Sequence, residues 1–295
     1  MEPPRRSLLV APSLLAADFC SLESAVDAIN ESRADWFHLD VMDGSFVDSI
    51  SFGQPVVASL AKRMKLPFEV HLMVCDPERH MDAFSALGAS IITVHAETCP
   101  HLHRTLTKIK SLPGGVKAGV ALNPHTPVSV LQHVLQLVDV ICIMSVDPGA
   151  GGQKLLPLAL DKIREAKSLV LNAGRSQDTI VLVDGGVNMQ TVSLVAEAGC
   201  DAVVAGSAVF SAPSGSPAAA VEALKEVGRM TDSVETDENE KIYSNRKAAG
   251  AGAVAKAAFD SGLAAAMPAP VADFAGAACI ISKKVQEKLF PVSKA

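Results

Sequence analysis

The chain has 295 residues, a formal charge of −6 and 20% charged residues. That is enough for one large domain plus an appendage, and with no extended basic run it lacks the electrostatic footprint of a nucleic-acid binder. Six cysteines (Cys20, Cys75, Cys99, Cys142, Cys200, Cys279) are scattered without a CxxC pair, which argues against a zinc ribbon or disulfide framework and points to a reducing, cytoplasmic setting. Arg5 and Arg6 before SLLVAPSLLAA superficially resemble a short signal peptide, but Pro12 interrupts the apolar run and Asp18 soon follows. The stretch therefore reads as a first core strand. No apolar run reaches the roughly 18 to 20 residues of a membrane helix; Leu131 to Val146 is short and carries Asp139. A soluble protein with no membrane partner is expected.

Short apolar runs follow one another at Leu8 to Pro12, Trp36 to Val41, Phe68 to Met73, Ile91 to His95, Ala118 to Leu122, Val140 to Met144, Ile180 to Asp184 and Ala202 to Ala205. Between them, Leu22 to Ile29, Pro77 to Leu87, Pro127 to Leu137, Leu158 to Leu171 and Met189 to Ala198 carry apolar residues at helical spacing. Asp76-Pro77 and Thr126-Pro127 each place a capping side chain before a proline at the first helical position. Eight alternating units predict an α/β fold with right-handed crossovers, closed as a (βα)8 TIM barrel; an open doubly wound sheet is the alternative. Composition changes after about Arg229, so residues 7–229 are expected to form the barrel domain. The Ala/Gly-rich segment 230–295 buries too little to offset its ordering entropy and reads as a mobile tail. Near its end Ile281, Val285 and Leu289 recur every four residues, as on a short amphipathic helix.

In HLDVMDG, strand alternation points His38, Asp40 and Met42 to one face; EVHLM does the same for Glu69, His71 and Met73, and IVLVDGG ends on Asp184. A lone strand histidine is ordinarily a hydrogen-bonded core residue. Two histidines and two aspartates at strand ends instead suit one divalent transition-metal ion per chain: zinc, iron, manganese or cobalt. Glycines then crowd three loops: VDPGAGGQK with Gly149, Gly151 and Gly152, DGGVN with Gly185 and Gly186, and AGSAVF with Gly206 and Ser207. Bare amides there suit a phosphate, and loops after the last barrel strands often hold one. A phosphorylated substrate fits the whole set.

With APSLLAADF, HLDVMDGSFV, FEVHLMV, GVALNPHTP, VDPGAGGQK, VDGGVN and VVAGSAVF in this order, the chain resembles the ribulose-phosphate 3-epimerase family from about Ser7 to Val227. The resemblance implies a ribulose-phosphate-binding barrel with a place in the pentose phosphate pathway. A metal would be held by His38, Asp40, His71 and Asp184, and Asp40 and Asp184 would serve as the catalytic acid/base pair. Ser13 and His71 would contact the sugar, and Met42, Met73 and Met144 would cap the reacting carbon. The expected partners are this small molecule and further copies of the chain. Two departures stand out: Ala150 sits where the family usually has an aromatic residue, implying less cover over the substrate, and Asp48-Ser49 replace a usual proline and asparagine. Decarboxylating and aldol relatives use a DxKxxD array, and HLDVMDG has no lysine. Epimerisation of another ketose phosphate, such as a six-carbon 2-ketose 6-phosphate, and a non-catalytic scaffold with an interacting tail are the alternatives.

Overall fold

All eight apolar runs become strands, because residues buried on both faces satisfy their backbone only through neighbouring strands. The computed structural model describes residues 8–228. Within them lie β1 (Leu9–Pro12), β2 (Phe37–Met42), β3 (Phe68–Met73), β4 (Ile91–His95), β5 (Lys117–Leu122), β6 (Val140–Met144), β7 (Ile180–Asp184) and β8 (Ala202–Ala205). Every observed ladder is parallel, in the order β1-β8-β7-β6-β5-β4-β3-β2. The ring closes between β1 and β2 through a single parallel bridge, Ser13 to His38. This is the barrel and not the open sheet.

The helices are α1 (Leu22–Asn30), α2 (Gln54–Ala61), α3 (Met81–Ala86), α4 (Leu102–Ser111), α5 (Leu158–Asn172), α6 (Val192–Glu197) and α7 (Ser207–Phe210); residues 217–228 are also helical. Their apolar stripes cover the barrel's outer wall. α5, for instance, buries Ala159, Ile163, Ala166 and Val170 on one face, where each large side chain contributes roughly 1.5–3 kcal/mol. The inside of the barrel is filled separately by Ala11, Trp36, Ile91, Ala121, Val140, Cys142, Met144, Leu182, Ala202 and Val204. Gly119 belongs to this lumen for a packing reason: a Cβ there would overlap the Thr93 hydroxyl and fall 2.9 Å from the Thr93 Cβ.

Three expectations need correction. Residues 127–137 form two 3-10 turns, Val128–Leu131 and Leu135–Leu137, instead of an α-helix. Their β-branched valines favour helix weakly, and Thr126 bonds Glu97 through its hydroxyl rather than capping the turn. Asp76 likewise makes no side-chain cap; Pro77–Arg79 is a 3-10 turn ahead of α3. The predicted helix 189–198 shortens to α6. The tail expectation for 230–295, including Ile281, Val285 and Leu289, lies outside the described residues. No helix among the described residues is long and apolar enough to cross a membrane.

Candidate active site

Cross-strand register assembles the site. β2 pairs with β3 so that His38 faces Glu69, Asp40 faces His71 and Met42 faces Met73, while Asp184 on β7 faces Met144 on β6. Four ligand-type atoms then converge at the carboxyl end of the barrel. His71 Nδ1 lies 3.2 Å from Asp40 Oδ1, 3.3 Å from Asp184 Oδ2 and 3.3 Å from His38 Nε2. His38 Nε2 is 3.2 Å from Asp40 Oδ1 and 3.6 Å from Asp184 Oδ2. All four side chains are buried, with one ligand atom of each within 4.8 Å of the others.

These separations match a cation's coordination shell. An ion about 2.0–2.1 Å from four N and O ligands in a tetrahedron requires edges of roughly 3.3–3.4 Å. Two imidazole nitrogens pointing at one another and at two carboxylate oxygens leave lone pairs converging on one point, an arrangement that a divalent ion satisfies. The electrostatics agree. Burial alone would lower His38, yet the charges of Asp40 and Glu69 outweigh it and hold this imidazole well above its usual range. Burial likewise opposes protonation of His71, but its hydrogen bonds to Asp184 and Asp40 raise it to about 9. Asp40, despite burial, is held well below the ordinary carboxylate range by His38 and His71.

Each histidine is braced from behind. His38 Nδ1 lies 3.0 Å from Glu69 Oε2, which also accepts from Trp36 Nε1 at 2.9 Å, while Thr93 Oγ1 donates to Glu69 Oε1 at 2.6 Å. His71 Nε2 lies 2.9 Å from His95 Nε2, and His95 Nδ1 lies 3.2 Å from Glu97 Oε2. Ser13 Oγ donates to Asp40 Oδ2 at 2.6 Å. Sequence reasoning placed Glu69 on the right face without giving it a partner, and it passed over Trp36, Thr93, His95 and Glu97. The readable signal was the repeated i, i+2 pairing of an acid with a histidine, in EVH and HAE.

A cavity of about 220 Å³ opens above the cluster. Asp40 and Asp184 form part of its floor, with Ser13 and the three methionines Met42, Met73 and Met144 around them. Gly149, Gly151, Gly152, Gly185, Gly186, Gly206 and Ser207 line it as well, so the glycine loops do converge. His71 does not line the cavity; it is fully buried beneath. Gly186, at φ +65°, also answers a packing demand, since a Cβ there would strike Leu155 N and fall 2.8 Å from Leu155 Cα. In the 147–153 loop, Gln153 Nε2 donates to the carbonyls of Asp147 (2.6 Å) and Ala150 (3.0 Å). The loop after β2 is knotted by Asp43, whose carboxylate accepts from the N–H groups of Ser45 and Phe46, and of Cys75 beyond β3.

A closed parallel barrel with polar side chains gathered at the carboxyl ends of three strands, below a glycine-lined cavity, defines a TIM-barrel enzyme with a cluster able to hold a metal ion. The ribulose-phosphate 3 epimerase family model matches residues 9–210. The chain is 49% identical over 201 residues to the ribulose-phosphate 3-epimerase of Bacillus subtilis, covering 68% of this chain and 91% of that one. It is 46% identical over 211 residues to the enzyme of the same name from Synechocystis, covering 71% and 90% respectively. The chain belongs to the ribulose-phosphate 3-epimerase family. Among solved structures, KGPDC from Streptococcus mutans shares the fold at 16% identity with a TM-score of 0.58, covering 77% of this chain and 99% of that one.

Proposed function

We propose that this enzyme interconverts D-ribulose 5-phosphate and D-xylulose 5-phosphate, with one divalent ion held by His38, Asp40, His71 and Asp184. The observation that carries the reading is the placement of two carboxylates, on strands β2 and β7, at the floor of one cavity beside two fully buried imidazoles. Epimerisation at C3 needs a proton removed from one face, α to the carbonyl, and a proton returned to the other. Asp40 and Asp184 come from separate strands and supply one carboxylate to each side, a role typically worth about 10² to 10⁴ in rate. When bound, zinc, iron, manganese or cobalt supplies Lewis-acid stabilisation of the charge developing on the sugar oxygens, worth several kcal/mol.

Around that centre the chain's own groups orient and shield. The Ser13 hydroxyl donates to Asp40 Oδ2, leaving Oδ1 toward the cluster and fixing the carboxylate's rotation. Met42, Met73 and Met144 present an apolar, polarisable wall that excludes water from the carbanionic intermediate. Gly149, Gly151, Gly152, Gly185, Gly186, Gly206 and Ser207 would anchor the phosphate through backbone N–H groups. Binding energy from that unreacting end then positions C3 between the carboxylates. The proposal extends to a cytoplasmic, self-associating protein; the five cysteines among the described residues are all unpaired, in keeping with a reducing compartment, and sedimentation velocity checks the association.

The test is turnover of ribulose 5-phosphate by the full chain, before and after chelation and after repletion with each of the four metals. Loss on chelation, recovery with at least one metal and a stoichiometry of one ion per chain are expected. Full-rate turnover by protein shown to be metal-free would overturn the reading.

A further inference from the structure

The two histidines of the cluster are braced differently. His38 rests directly on the carboxylate of Glu69, whereas His71 reaches its carboxylate through a second imidazole. The intervening His95 is completely buried. Its ring plane lies within 13° of that of His71, with centroids 5.0 Å apart. Together with an N···N distance of 2.9 Å, that means the rings meet edge to edge, as an N–H···N bond requires. Phe46, from the loop after β2, packs on the His95 ring at 4.7 Å between centroids.

The direction of every hydrogen bond in this arm is fixed from its far end. Asn123 N–H, which can only donate, gives its hydrogen to Glu97 Oε1 at 2.8 Å, and the Thr126 hydroxyl donates to the same oxygen. Lys162 Nζ bonds the carbonyls of Asn123 and Pro124, pinning that turn to α5. A carboxylate only accepts, so His95 Nδ1 must carry the hydrogen shared with Glu97 Oε2. A neutral His95 then offers a lone pair at Nε2, and His71 must donate to it from Nε2–H. The lone pair of His71 is left at Nδ1, the atom that faces Asp40, Asp184 and His38.

We infer that His95 and Glu97 are positioning residues that lock His71 in the Nε2–H tautomer and so aim its Nδ1 lone pair at the metal-holding cluster. The inference rests on the metal reading given above and adds two residues that touch neither metal nor substrate. It has a sharp corollary. In Glu97→Gln, Asn123 N–H keeps the amide oxygen on its own side, so the amide NH₂ faces His95 Nδ1 as a donor. His95 must then carry its hydrogen on Nε2, His71 must accept there, and a hydrogen appears on His71 Nδ1, where the metal binds. A near-isosteric change about two side chains away thus inverts the tautomer of a ligand.

The experiment uses the full chain with Zn²⁺ alone as probe, its Kd set by competition with a chromophoric chelator. Glu97→Gln and His95→Leu should each weaken Zn²⁺ binding by about 10- to 100-fold, the usual cost of losing an outer partner of a ligating histidine. His95→Gln, whose side-chain oxygen can accept from His71 Nε2–H while its NH₂ donates to Glu97, should keep most of the affinity. Long-range ¹H–¹⁵N spectra of the Zn²⁺-loaded wild type should show His71 protonated at Nε2 and His95 at Nδ1, which needs no variant to fold. A His95 protonated at Nε2 in that spectrum, or a Glu97→Gln chain that binds Zn²⁺ as tightly as a tightly binding wild type, overturns this inference alone. A wild type that binds no Zn²⁺ overturns this inference, and one that binds none of the four metals overturns the metal reading with it.

Discussion

Replacing Asp184 by Asn exchanges one oxygen for NH₂ at nearly constant volume. Its carboxylate sits 3.3 Å from His71 Nδ1 and 3.6 Å from His38 Nε2, while its backbone is held independently by the β6–β7 ladder and by Ser145 Oγ donating to the residue-184 carbonyl at 2.9 Å. The strand should therefore survive the change. On the proposed roles, what disappears is an anionic ligand and one of two proton carriers, and the second loss alone should cost about 10² to 10⁴ in turnover, or roughly 3–5 kcal/mol of barrier. Asp40 remains on the other side with its Ser13 hydrogen bond intact. Asp184→Asn should thus stop interconversion yet still exchange the C3 hydrogen of one epimer with solvent, because only one face has lost its base. Proton NMR of each epimer incubated separately in D₂O, with bound metal measured alongside, reads both effects. A metal-loaded variant that interconverts within tenfold of wild type, or that exchanges both epimers equally or neither, would refute the two-carboxylate assignment.

Gly119→Ala drives a methyl group into Thr93 and breaks its bond to Glu69. Overpacking at about 1–3 kcal/mol plus a lost hydrogen bond to a charged group at about 1.5–3 should lower stability by roughly 2.5–6 kcal/mol in urea titration; a loss below 1 would show that Thr93 has room to move. Glu97 is held at about 2, below its ordinary 4.5, since burial is outweighed by bonds from His95, Thr126 and Asn123 N–H. A depressed carboxylate contributes stability that is present above about 4.5 and lost as pH falls toward 2, here up to about 3 kcal/mol. Between pH 5 and pH 2, metal-free wild type should therefore lose more stability than Glu97→Gln, and parallel pH curves would contradict that bonding. Truncation after Arg229 should leave activity and melting temperature nearly unchanged, because all eight strands precede it; a fall of several degrees would make the tail structural.

The barrel was legible because its strands announce themselves twice, by apolar runs and by regular alternation with helical spacing. The cluster was legible because His38 and Asp40 stand two apart on one strand and so share a face without any knowledge of neighbours. What lay behind it depended on register. Nothing in the periodicity of HLDVM and FEVHLM says that His38 must face Glu69, or Asp40 His71; a slip of one residue would send each set to the opposite face. The arm through His95 and Glu97 needs the β3–β4 alignment as well and was invisible for the same reason. The misread segment 127–137 shows the opposite limit: Val128, Leu131, Leu135 and Val138 do face the core, but that spacing serves 3-10 turns as readily as an α-helix.

The β1–β2 seam joins the barrel's first strand to its neighbour by one bridge, whereas every other seam is a ladder. At its lower end Asp35 clasps Val10, accepting from its N–H at 2.8 Å while Asp35 N–H donates to the Val10 carbonyl at 3.0 Å. At the upper end the clasp is Ser13 to Asp40, a bond between two residues that line the cavity. The hoop is therefore buckled at the wall of its own cavity. On the proposed roles, changes at position 13 or 40 would loosen the architecture at its thinnest join as well as slow the reaction, which ties the freedom of this site to vary to the integrity of the ring that carries it.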